Sequence, residues 1–137
     1  MPDVLVVDDS RVMREMIAAC LRPLGTLGVT HAASGLEAIE QLSLRGFDLM
    51  VLDLNMPDVG GLEVVQFVRA QDRLKSLPIL VVTSRGDDAS RKGVLERGAS
   101  AFMTKPFTPE ALLAEASALL EASRSTASAT AGAVVSE

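Results

Sequence analysis

Four consecutive apolar residues, Leu49-Met50-Val51-Leu52, stop on Asp53, between Gly46 upstream and Pro57 downstream. A run this short and this uniformly apolar reads as a strand covered on both faces, and such strands belong inside parallel sheets. Val4-Leu5-Val6-Val7 before Asp8-Asp9, and Ile79-Leu80-Val81-Val82 before Thr83-Ser84, repeat the pattern. Parallel strands cannot be joined by tight hairpins and need crossover connections, usually helices.

The intervening stretches supply those helices. Ser10 is placed to cap the first, whose stripe is Val12, Met13, Met16, Ile17, Cys20, Leu21 and Leu24, with Pro23 and Gly25 closing it. Ser34-Gly35-Leu36-Glu37 has capping-box spacing for the second, with Leu36, Ile39 and Leu42 expected inside and Gly46 at its C-terminal cap. Leu62, Val65 and Val68 give the third an inner face. Asp87 and Asp88 suit the positive end of the fourth, and Gly98 its end. Thr108-Pro109 opens the fifth, lined by Leu112, Leu113, Ala116, Leu119 and Leu120. Two weaker strands, Val29 to Ala33 and Ala101 to Thr104, mix polar with apolar residues and so belong at the sheet edges. The expectation is an α/β, flavodoxin-like doubly wound fold: a five-stranded parallel sheet of order 2-1-3-4-5 with five helices.

This pattern occupies residues 1–122, long enough for one core. Residues 123–137 are rich in Ala, Ser and Thr, lack periodicity, and are expected to form a flexible tail. A formal net charge of −5 argues against direct nucleic-acid binding. No apolar run is long enough for a membrane span, and no signal peptide opens the chain. The single cysteine, Cys20, forms no internal disulfide and reads as an apolar filler. These features are those of a cytoplasmic protein.

In a parallel sheet the carboxyl ends of all strands lie along one edge. Asp8 and Asp9, Asp53, Thr83 and Lys105 each follow a strand, so the five converge. Separately each has an ordinary explanation, as a helix-start acid, a turn residue or a solvated charge. Together, three carboxylates in one cleft call for a cation, and an all-oxygen site selects a hard ion such as Mg²⁺. A lysine and a hydroxyl beside it suit a phosphoryl group, which an aspartate can accept as an acyl phosphate.

These residues, with Asp53-Leu54-Asn55-Met56-Pro57, Gly61, Phe102 and Lys105-Pro106-Phe107, resemble the receiver domains of two-component response regulators over about residues 3 to 121. The single-domain, chemotaxis-type members are the most similar. The resemblance implies that Asp53 is the phospho-acceptor. Mg²⁺ would be held by Asp9, Asp53 and the backbone carbonyl of Asn55, with Asp8 acting through metal-bound water. Lys105 would hold a phosphoryl oxygen, with a cis bond to Pro106. Thr83 would be drawn toward the phosphoryl and Phe102 would repack inward, altering the face of the fourth helix, fifth strand and fifth helix. That position is often tyrosine in the family, but this chain has no tyrosine. The implied donor is a histidine kinase or phosphotransfer protein, and the implied target a protein binding the altered face. The implied state is a monomer or a weak phosphorylation-dependent dimer. By position, Asn55 and Arg85 flank the line of water attack and are expected to tune the phosphoryl lifetime.

Other functions fit less well. A flavin site needs a phosphate-cradling loop after the first strand, where Asp8-Asp9 would repel it. A Mg²⁺-dependent phosphohydrolase would need a general acid, where Asn55 stands, and a cap domain. A degenerate receiver acting only as a protein-interaction module is the remaining alternative. Phosphoryl transfer to Asp53 is self-modification, so the chain is not expected to be an enzyme acting on a substrate. His31, the only histidine, falls on a strand and reads as structural.

Overall fold

The computed structural model describes residues 2–136 apart from Pro57 and Arg85, with side chains described as far as Ser123. Strands and helices alternate from β1 (Asp3–Val7) and α1 (Arg11–Cys20) through β2 (Gly28–Ala32), α2 (Gly35–Leu44), β3 (Leu49–Leu52), α3 (Gly61–Ala70), β4 (Ile79–Thr83), α4 (Asp88–Glu96) and β5 (Ala101–Thr104) to α5 (Pro109–Ser136). The sheet has the order β2-β1-β3-β4-β5, and every neighbouring pair is parallel. The uniformly apolar β1, β3 and β4 are central and the mixed β2 and β5 are the edges. All four residues of β3 are buried.

Alternation along the strands divides the core in two. Leu5, Val7, Met50, Leu52, Ile79, Val81 and Phe102 face α2, α3 and α4. Val4, Val6, Leu49, Val51, Leu80 and Val82 face Ile17 and Leu21 near α1 and Leu112, Ala116 and Leu120 of α5.

The helix starts follow the sequence. Ser10, Ser34, Asp87 and Thr108 each accept a hydrogen bond from the backbone N–H three residues on. Inner faces were harder to read. Val12 and Met16, expected inside, are 71% and 47% exposed, and Leu36 is 51% exposed. Ala38 joins Leu42 inside α2, and Val64 joins Val65 and Val68 inside α3. Leu24 lies not in α1 but in the 3-10 turn Arg22–Leu24, because Pro23 cannot continue the helix. Arg45, not Gly46, caps α2.

Arg69 was not singled out by the sequence. From α3 it donates to the carbonyls of Gly98, Lys75 and Leu77, at 2.9, 3.1 and 2.8 Å. One half-buried guanidinium thus ties together three segments at the amino-terminal side of β4 and β5.

Candidate functional site

β1, β3, β4 and β5 end at one edge of the sheet, and register brings their last residues together: Val7 pairs with Leu52 and Thr83 with Thr104. The chain then turns, so Asp8, Asp53 and Lys105 leave the sheet side by side. The N–H of Asp53 donates to the Val7 carbonyl at 3.0 Å, and that of Lys105 to the Thr83 carbonyl at 2.8 Å. The bond between Lys105 and Pro106 is cis.

Asp8 and Asp53 are buried, at 2% and 5% exposure, whereas Asp9 is exposed. One carboxylate oxygen from each of the three lies within 4.8 Å of the others. The Lys105 ammonium stands 2.7 Å from Asp8 Oδ2 and 3.7 Å from Asp53 Oδ2. The other oxygen of Asp8 accepts from the Ser10 N–H at 2.9 Å, and that of Asp53 from the Asn55 N–H at 3.3 Å. Burial pushes the Asp53 carboxyl above the ordinary range. The Asn55 N–H and Lys105 pull it down, while Asp8 and Asp9 push it further up. Among the described residues, three carboxylates against one ammonium leave an excess of negative charge. A donor set made only of carboxylate oxygens fits a hard divalent cation.

Thr83 is fully buried at the end of β4. The Asn55 amide lies 3.4 Å from both the Thr83 and the Ser84 hydroxyls, spanning the ends of β3 and β4. Phe102 is 7% exposed and belongs to the core between the sheet and α2, α3 and α4. The structure therefore brings together Asp8, Asp9, Asp53, Asn55, Thr83 and Lys105, with Phe102 next to this group on β5. Arg85 lies outside the described residues.

Arg14 was missed from the sequence. Its Nη1 donates to the Asp8 carbonyl at 2.6 Å and its Nε to His31 Nδ1 at 3.3 Å. The available signal was a charge three residues before Ile17 and seven before Leu21, on the stripe those residues define. His31 is exposed on β2, with Arg14 as its hydrogen-bond partner. Burial, and secondarily Glu110, raises the Cys20 thiol, as suits an unreactive filler.

A cavity of about 460 Å³ opens between the loop after β3, the start of α3, and α4, lined by Leu54, Asn55, Gly61, Ser90, Gly93 and Arg97 among others. Val94 is the one buried residue of α4. Among the described residues only α1, with Ile17, has as few.

Comparison with known proteins agrees with this geometry. Residues 4–117 match the family described as the response regulator receiver domain. The chain is 40% identical over 110 residues to the chemotaxis protein CheY1 of Helicobacter pylori, covering 80% of this chain and 89% of that protein. It is 38% identical over 112 residues to the chemotaxis protein CheY of Pseudomonas aeruginosa, covering 80% and 88%. The chemotaxis response regulator CheY4 of Vibrio cholerae superposes with a TM-score of 0.80 at 36% identity, over 87% of this chain and 98% of that one. With its sheet order, its three converging carboxylates and a family match over most of its length, the chain belongs to the response regulator receiver domains, phosphorylation-regulated switches of two-component signalling.

Proposed function

We propose that Asp53 accepts a phosphoryl group from the phosphohistidine of a histidine kinase or phosphotransfer protein, and that the modified chain regulates a protein partner through α4, β5 and α5. The observation that carries this is the Lys105 ammonium set between Asp8 and Asp53, with three carboxylate oxygens within 4.8 Å of one another. A carboxylate oxygen of Asp53 bonds to phosphorus as the phosphorus–nitrogen bond of the donor breaks. The imidazole leaves with the electron pair. Lys105 is placed to neutralise a phosphoryl oxygen, and the Thr83 hydroxyl to meet another. Mg²⁺ would be held by Asp9, Asp53 and the backbone carbonyl of Asn55, with Asp8 acting through metal-bound water, and would supply charge neutralisation for the transferred group. The Asn55 amide, already between β3 and β4, is suited to orient water for the later hydrolysis.

The cavity beside α4 and the scarcity of buried residues on that helix support a switch that moves α4 relative to β5. Acetyl phosphate with Mg²⁺ should add one phosphoryl group to the chain, read by intact mass. Asp53→Asn should take up none, and chelation should abolish the addition. Equal labelling of Asp53→Asn and the parent chain would refute the assignment.

A further inference from the structure

An aromatic that changes place at a switch needs something to hold it. A phenol can do so through its hydroxyl, but Phe102 has only the faces and edge of its ring. The ring belongs to the core cluster that also holds Val81, its cross-strand partner on β4, and Val94 of α4. The Arg91 guanidinium, reaching over from α4, lies with its Cζ 5.9 Å from the ring centroid. A guanidinium at this distance is attracted by the ring's quadrupole, and its weak hydration lets it stack without losing much solvation. Arg91 is not drawn elsewhere. The neighbouring Lys92 pairs with Glu96 at 4.0 Å, and no carboxylate among the described residues forms an ion pair with Arg91.

We propose that Arg91 is a positioning residue for the switch, holding the Phe102 ring in its buried place through cation–π contact. The idea rests on the switch function proposed above and adds a residue to it. The contact joins α4, a helix with one buried residue, to the edge strand that leads into Lys105. A displacement of α4 therefore alters the hold on the ring, and a displacement of the ring changes where a surface cation stands. Arg91 also lines a shallow surface pocket with Asp88, Lys92, Leu95 and Glu96, so its position alters the outer face of α4.

The chain has four phenylalanines and no tyrosine or tryptophan. Incorporation of 4-fluorophenylalanine therefore gives four fluorine resonances, and Phe102→Leu identifies the one required. Arg91→Met keeps the length and helix propensity of the side chain while removing its charge. It should shift the balance between buried and exposed ring positions about two- to fivefold toward exposure, read as a larger solvent-isotope shift of the Phe102 resonance. Arg91→Lys should fall between. By linkage, the affinity for fluoroberyllate, a phosphoryl analogue, should change by up to the same factor. The melting temperature in EDTA should fall only as far as so small a factor allows, whereas an Arg91 that served stability alone would lower it and leave the fluoroberyllate affinity unmoved.

An unchanged Phe102 resonance and isotope shift in Arg91→Met would overturn the role of Arg91. An equal fluoroberyllate response in the parent chain and Arg91→Met would do the same while leaving the switch reading intact. If Phe102 responds to Arg91→Met but not to fluoroberyllate in the parent chain, the contact stands and the switch reading fails.

Discussion

At the scale of single residues, the acidic cluster sets up a conflict that the folded chain only partly resolves. Asp53 is buried beside two other carboxylates and has one ammonium near it. Its carboxyl is raised, so the folded chain holds that proton to higher pH than the unfolded chain does. Protonation of Asp53 therefore favours folding. This contribution is full below the ordinary carboxylate range and is lost as pH rises through the raised folded value. In EDTA, Asp53→Asn should accordingly be more stable than the parent chain at about pH 7, by on the order of 1 kcal/mol. The gap should close toward about pH 4. Urea denaturation at both pH values checks the sign, and a variant less stable at neutral pH would contradict it. The acidic residues could be found from the sequence because each directly follows an apolar run. Arg14 could not be found in that way: its role depends on where α1 crosses the end of β1, and no local pattern encodes that crossing.

At the scale of elements, the loop from β3 to α3 is held by close backbone approach. A side chain at position 61 would stand 2.6 Å from the Asp53 carbonyl oxygen and 2.7 Å from the Leu54 Cα. Gly61 is thus required where α3 begins, against the residue that precedes the loop. Gly61→Ala should cost about 1–3 kcal/mol of stability and slow phosphorylation by acetyl phosphate, since relief of the clash must move Asp53 or Leu54. Denaturation and intact-mass time courses on the same preparation measure both effects, and a fully stable variant would show that the loop yields freely. Element types, strand order and most caps were legible because apolar runs, N-cap residues and helix-ending glycines are local signals. The inner faces of α1 and α2 were less so. Val12, Met16 and Leu36 are apolar at helical spacing, yet all three are substantially exposed. A stripe wider than the surface available to cover it leaves one flank outside, and the sequence does not say which.

At the scale of the molecule, the last described buried side chain is Leu120, and the family match ends at residue 117. The helical backbone of α5 nevertheless continues to Ser136. The segment expected to be a flexible tail, residues 123–137, has no described side chain beyond Ser123. Removing residues 123–137 should leave both the phosphorylation rate and the melting temperature unchanged. A fall in either would assign the extension a part in the receiver unit. The sheet has another effect at this scale, because it separates the two halves of the core. β3 and β4 form a wall of buried backbone, with one set of side chains behind it and another in front. Phe102 lies on the side of α4, whereas the buried residues of α5 lie on the other. A change at Phe102 has its shortest route to the other side at the open rim, where β5 carries Phe102 on one surface and Ala101 and Met103 on the other. An edge strand, tethered along only one side, is the part of a sheet most able to act as a hinge for that change.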